Sequence, residues 1–160
     1  MRPDPESSPM ATLPLSLPRL APPVGGTKPA ASAATRHRLL VIDDDPGVLS
    51  ALGGLFRALG VDVETCSDPV KALDLFARGR FDLVISDERM PGMSGLDLVR
   101  RVRARSPGTP TILITAHADR RSFERAYASC GVFRYLTKPW DTCDLVLTVR
   151  DALRCVEALA

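Results

Sequence analysis

The chain has 160 residues, enough for one domain with an appendage, and its formal net charge of +2 gives no reason to expect nucleic-acid binding. Its four cysteines show neither metal-like spacing nor the crowding of a disulfide scaffold. No apolar run approaches the roughly 18 residues that span a bilayer, and the N-terminus lacks the pattern of a signal peptide. We therefore predict a cytoplasmic protein that binds neither nucleic acid nor membranes.

Proline divides the chain into two parts. Eight of the 14 prolines lie in residues 1–35. Because proline lacks an amide donor and opposes both helix and central strand, we predict a disordered Pro-rich tail over residues 1–36 and a folded domain over 37–160. The segment LPLSLPRLAPP at 13–23 resembles a polyproline recognition motif, so docking is the alternative interpretation of the tail.

The rest of the chain reads as five strand-then-helix units. The predicted strands cover 39–42, 61–66, 81–86, 111–115 and 132–136. The predicted helices cover 46–59, 69–79, 94–105 and 119–129, followed by a last helix capped by Asp141. The first, third and fourth strands are apolar runs without alternation, which is typical of strands covered on both faces, whereas the second alternates as an edge strand does. The pattern predicts an α/β fold, a flavodoxin-like doubly wound (βα)5 domain with a five-stranded parallel sheet of order 2-1-3-4-5.

Helical spacing also predicts which side chains of the second and third helices are buried. The expected stripes are Val70, Leu73 and Phe76 in the second helix, and Leu96, Val99 and Val102 in the third.

Chemically active side chains follow the strands at the end where such sheets carry their sites. Asp43, Asp44 and Asp45 follow the first strand, and Asp87 follows the third. Thr115 ends the fourth strand, and Lys138 follows the fifth.

Carboxylates gathered in one crevice need cations near them. Two such charges about 4 Å apart repel each other by about 4 kcal/mol at an effective dielectric constant of about 20. Lys138 supplies one positive charge, and Mg²⁺, which prefers oxygen ligands, is the expected source of the rest. A carboxylate beside Mg²⁺, a lysine and a threonine hydroxyl suits phosphoryl transfer with the aspartate as nucleophile.

Four segments in order resemble the receiver domain of two-component response regulators. They are DDDP at 43–46, DERMPGMSG at 87–95, ITA at 114–116 and YLTKP at 135–139. The resemblance covers roughly residues 37–158.

The resemblance implies a role for each matching residue. Asp87 is the expected phosphoacceptor, and Lys138 is expected to pair with the phosphoryl group. The Lys138-Pro139 bond is expected to be cis, which would aim the ammonium into the site. Asp43 and Asp44 are expected to hold Mg²⁺ together with Asp87 and the backbone carbonyl of Arg89. Thr115 is expected to move toward the phosphoryl group, which draws the switch aromatic Tyr135 inward.

Two further positions are expected to tune the lifetime of the phosphoryl group. They are Arg89, which we expect to shield the acyl phosphate from water, and His117, for which a plain surface position is the alternative.

The implied function is a phosphorylation-dependent signalling switch. Its expected partners are a sensor histidine kinase or histidine phosphotransfer protein, which supplies the phosphoryl group, and an unknown protein target. The expected output is a change in the surface of the fourth helix, fifth strand and last helix, with a phosphorylation-dependent homodimer as one form of it. No output domain follows the last predicted helix, so we do not expect an enzyme beyond self-phosphotransfer and autodephosphorylation.

Two other functions compete with this one. A haloacid-dehalogenase-like phosphatase would use Asp43 as its nucleophile, but Pro46 and Gly47 do not complete its usual DxDGT motif and Asp87 would have no role. A phosphate-independent interaction module would have no use for an intact set of acceptor residues.

Overall fold

The computed structural model describes residues 36–116, 121, 128 and 130–159. The predicted tail therefore lies outside the described residues, except for Arg36. Only residues 121 and 128 of the predicted fourth helix are described, and both are helical.

The described residues form five strands and four complete helices. The strands are β1 (Arg38–Ile42), β2 (Asp62–Cys66), β3 (Leu83–Asp87), β4 (Thr111–Thr115) and β5 (Arg134–Thr137). The helices are α1 (Pro46–Ala58), α2 (Pro69–Arg78), α3 (Gly95–Arg105) and the C-terminal helix α4 (Thr142–Leu159). None of these helices has the length and apolar character that a membrane crossing requires.

All strand pairs are parallel, and the sheet order β2-β1-β3-β4-β5 confirms the predicted order. In the register, Ile42 lies beside Ser86, Asp87 beside Ile114, and Thr115 beside Thr137. The carboxyl ends of β1, β3, β4 and β5 therefore lie side by side at one edge of the sheet. The segments that follow these strands share that edge.

The sheet has a separate core on each face. Leu39 and Val41 of β1 pack in the cluster that includes residues of α1 and α4, whereas Leu40 and Ile42 pack with residues of α2 and α3. Successive strand residues point to opposite faces, so a strand covered on both faces is apolar at successive positions, as β1 is. β2 has no fully buried residue, as expected of an edge strand.

The predicted stripe of α2 is wrong at its first residue. Val70 is 55% exposed, and the buried positions are Pro69, Ala72 and Phe76. Helix geometry places residues 69, 72 and 76 on one face, and the same spacing also fits residues 70, 73 and 76, so spacing alone does not distinguish the two stripes. In α3, Val99 and Val102 are buried as predicted, Leu98 is buried as well, and Leu96 is half-buried.

Candidate functional site

The carboxyl edge of the sheet holds a cavity of about 430 Å³. Its lining contains all the described residues to which a catalytic or metal-binding role was given. The lining residues are Asp43, Asp44, Asp45, Asp87, Arg89, Thr115, Ala116 and Lys138.

The ammonium of Lys138 lies between two carboxylates. Its Nζ is 2.6 Å from Oδ2 of Asp43 and 2.6 Å from Oδ1 of Asp87. The side chains of the two aspartates are only 3% and 8% exposed, against 21% for Lys138. The backbone N–H of Lys138 donates to the carbonyl of Thr115 at 2.6 Å, and the Lys138-Pro139 peptide is cis, as the resemblance implied.

The second oxygen of Asp87 is held by its own loop. Its Oδ2 accepts the backbone N–H of Arg89 at 2.7 Å. Behind this loop, a Cβ on Gly95 would stand 2.1 Å from the Asp87 carbonyl oxygen, so only glycine permits α3 to start so close. The carboxylate of Asp87 is therefore oriented by contacts to both of its oxygens.

The three consecutive aspartates after β1 differ in their surroundings. Asp43 is buried, and its Oδ1 accepts the backbone N–H of Asp45 at 2.9 Å. Asp45 is the N-cap of α1, where its side chain accepts the N–H of Gly47 at 2.7 Å. Asp44 is exposed beside the cavity.

Burial and hydrogen bonding shift the pKa values of two of these residues, Asp43 and Lys138. Burial raises the pKa of Asp43, and the hydrogen bonds from Lys138 and from the Asp45 amide offset only part of this effect. Burial opposes a charge on Lys138, but its hydrogen bonds to Asp43 and Asp87 outweigh burial, so that the pKa of the ammonium is raised. Both groups hold their protons more tightly than usual, Asp43 because it is buried and Lys138 because two carboxylates accept its hydrogen bonds.

The donor chemistry of the cavity suits a hard divalent cation. The carboxylates of Asp43, Asp44 and Asp87 line it, and no histidine or cysteine is among its lining residues. Among the described residues, no three carboxylate, imidazole or thiol side chains are gathered closely enough to form a ready-made metal site. The residues fit Mg²⁺ in their chemistry and in their surplus negative charge.

The two predicted switch residues are both buried. Thr115 lies at the cavity and is 1% exposed, and Tyr135 is 9% exposed. The hydroxyl of Tyr135 donates to Oε2 of Glu88 at 2.5 Å. Sequence reasoning did not single out Glu88, for which the only signal was its place directly after Asp87. His117 lies outside the described residues.

Comparison with known proteins agrees with this arrangement. Residues 39–150 match the family model described as the response regulator receiver domain. The chain belongs to this family.

Two known regulatory proteins are similar in sequence to this chain. The chain is 41% identical over 117 residues to the transcriptional regulatory protein GlrR of Escherichia coli, a match that covers 72% of this chain and 26% of GlrR. It is 38% identical over 119 residues to the DNA-binding response regulator MtrA of Mycolicibacterium smegmatis, covering 74% of this chain and 51% of MtrA. The chain thus spans about a quarter to a half of the length of these two relatives.

A solved receiver domain has the same fold. The signal receiver domain of an HD domain-containing protein from Pseudomonas fluorescens superposes with a TM-score of 0.74 at 33% identity. The superposition covers 77% of this chain and 98% of that domain.

Proposed function

We propose that this receiver domain accepts a phosphoryl group on Asp87 from a histidine kinase or a histidine phosphotransfer protein, and that the transfer controls the binding of a protein target. The observation that carries this proposal is the pair of contacts that hold the two oxygens of Asp87, one to Lys138 and one to the Arg89 amide. Both contacts orient a buried carboxylate at the open edge of the sheet, where a phosphodonor can reach it.

The proposed step forms one bond and breaks one. A carboxylate oxygen of Asp87 attacks the phosphorus of a phosphohistidine, the P–N bond breaks, and the imidazole leaves with its electron pair. Lys138, already 2.6 Å from Asp87, stabilises the negative charge of the transferred oxygens. Hydrolysis of the acyl phosphate by water then returns the free carboxylate and inorganic phosphate.

We assign the Mg²⁺ ligands to the carboxylates of Asp43, Asp44 and Asp87 and to the backbone carbonyl of Arg89. When bound, the ion would neutralise charge on the phosphoryl oxygens. The surplus of carboxylate over ammonium in the cavity supports this assignment.

The proposed output depends on Thr115 and Tyr135, which we propose to be a pair with two arrangements. The charge added to Asp87 favours one of them. A phosphoryl group on Asp87 offers new acceptor oxygens to the hydroxyl of Thr115, and the movement of Thr115 favours the buried position of Tyr135. The responding surface consists of the fourth helix predicted from the sequence (119–129), β5 and the C-terminal helix α4. We propose this surface as the site for a protein target or for a second phosphorylated copy. We also propose that Arg89 and His117 tune the lifetime of the acyl phosphate.

Labelling with a small phosphodonor tests this function. We expect acetyl phosphate with Mg²⁺ to add one phosphoryl group to the wild type, detected by intact mass, and none to Asp87→Asn. Borohydride reduction followed by peptide mapping identifies the modified residue. Label on Asp43 would instead support the phosphatase, and no label from any kinase or small donor would contradict the switch.

A further inference from the structure

One hydrogen bond connects Glu88, the residue after Asp87, to Tyr135 in β5. The hydroxyl of Tyr135 in β5 donates to the carboxylate of Glu88, which follows β3, across 47 residues of sequence. β4 lies between these two strands in the sheet, so the contact bridges strands that are not paired with each other.

The backbone of Glu88 is fixed on both sides. Its N–H donates to the carbonyl of Ile114 at 3.1 Å, and its carbonyl accepts the N–H of Gly95 at 2.8 Å. A Cβ on Gly95 would stand 2.9 Å from Cα of Glu88, which shows how closely the start of α3 packs against this residue. The Glu88 carboxylate is therefore presented to Tyr135 from a well-defined position.

The ring of Tyr135 lies in a small apolar cluster. It packs with Val99 of α3, Leu113 of β4, and Cys130 and Val132 before β5. Burying a phenol hydroxyl is costly unless it is hydrogen-bonded, and a charged acceptor stabilises it more than a neutral one does. The half-buried Glu88 supplies such an acceptor.

We propose that Glu88 is a positioning residue that holds Tyr135 in its buried position and thereby sets how far phosphorylation can move the switch. The inference rests on the proposed function in one respect, the assignment of Tyr135 as the switch aromatic. Since Glu88 directly follows Asp87, this contact links the acceptor loop to β5 by a route that does not pass through Thr115.

The position of the ring can be measured directly. Tyrosine labelled with carbon-13 in the ring gives signals from only two residues, Tyr127 and Tyr135, and Tyr127→Phe assigns them. Relaxation caused by a soluble gadolinium reagent reports how far each ring is exposed. Without a phosphodonor, we expect the ratio of buried to exposed Tyr135 to fall about tenfold or more in Glu88→Ala.

Glu88→Gln separates the hydrogen bond from the general effect of a substitution. Its amide carbonyl still accepts a hydrogen bond, so we expect an intermediate ratio. Glu64→Ala, which removes a glutamate from the edge strand β2, should leave the ring as buried as in the wild type. Circular dichroism of each variant verifies that the domain is folded, and Glu88→Gln serves if Glu88→Ala does not fold.

Phosphorylation supplies the readout that a merely structural contact would not move. In Glu88→Ala, acetyl phosphate should return the ring to its buried position, because the route through Thr115 remains, whereas the wild-type ring should change little. A ring equally buried in the wild type, Glu88→Gln and Glu88→Ala before addition of the donor would overturn the inference. Intact mass of the same samples monitors phosphorylation of Asp87. Failure to phosphorylate Asp87 would instead count against the proposed function.

Discussion

Lys138 forms ion pairs with two carboxylates that are distant from it in the sequence, Asp43 and Asp87. Asp43 lies 95 residues before it, and both aspartates are nearly inaccessible to water. Removing one partner of a buried ion pair leaves the other charge without compensation, which costs more free energy than the pair itself contributes.

Lys138→Met should therefore reduce both phosphorylation and stability. We expect the free energy of unfolding to fall by about 1–3 kcal/mol in metal-free buffer, below the range for fully buried pairs because the lysine is partly exposed. Urea denaturation followed by circular dichroism measures the change. Adding Asp87→Asn should restore much of the loss by removing one of the two uncompensated charges.

The matched control is Lys71→Met, which removes an exposed lysine from α2. This variant should unfold like the wild type. If Lys138→Met were as stable as Lys71→Met, the ion pairs would contribute nothing to the fold.

Arg89 illustrates a residue whose backbone and side chain have different tasks. Its N–H orients Asp87, whereas its exposed side chain borders the cavity. We predict that Arg89→Ala leaves the backbone contact in place but speeds loss of the phosphoryl group several-fold, since water gains access to the acyl phosphate. Phosphate release after removal of the donor measures the rate, Arg89→Lys is the control, and an unchanged rate in Arg89→Ala would refute the shielding role.

At the level of secondary structure, β4 contains a buried hydroxyl without a hydrogen-bond partner among the described residues. Oγ1 of Thr111 is fully buried and has no hydrogen-bond partner within the described part of the chain. In the turn before β4, by contrast, the hydroxyls of Ser106 and Thr109 are 2.9 Å apart and bonded to each other.

Replacing each threonine by valine should change stability in opposite directions. We expect Thr111→Val to raise the free energy of unfolding by about 1 kcal/mol, because a methyl group replaces an unsatisfied polar group of similar shape. Thr109→Val should lower it by about 1 kcal/mol through the lost hydrogen bond. Urea denaturation of both variants tests the pair, and destabilisation by Thr111→Val would mean that its hydroxyl is bonded in solution.

For the molecule as a whole, the parallel sheet concentrates negative charge at one edge. All five parallel strands end there, and the cavity at this edge combines four aspartates with one lysine and one arginine. A cation that binds the folded chain and not the unfolded one stabilises the fold by mass action.

Mg²⁺ should accordingly raise the melting temperature. At about ten times its dissociation constant the ion adds about 1.4 kcal/mol, which corresponds to about 3–6 °C for a domain of this size. Thermal melts with MgCl₂ and with NaCl of equal ionic strength isolate the effect, which EDTA should reverse. Asp44→Asn should weaken the effect, and an equal shift with NaCl would mean that only screening is involved.

Sequence patterns alone determined the five strands, their order in the sheet, the four helices that the structure describes in full and the residues placed at the strand ends. Apolar runs at 39–42, 81–86 and 111–115 predicted the buried strands, and the alternating run at 61–66 predicted the edge strand. These predictions succeed because burial of one face of a strand makes apolar and polar residues alternate, whereas burial of both faces makes successive residues apolar. Since parallel strands align their carboxyl ends, the position of the cavity followed as well.

Only the tertiary structure decided which of several similar side chains perform which task. It placed Asp43 against Lys138 but made Asp45 the cap of α1, buried Ala72 in place of Val70, and brought Tyr135 to Glu88. The contact of Tyr135 with Glu88 joins residues 47 positions apart, and that of Lys138 with Asp43 joins residues 95 positions apart. Contacts at these separations depend on strand register, and the burial of Ala72 depends on which face of its helix turns inward. Local periodicity contains no information on those distances, which is why Glu88 became visible only in the folded chain.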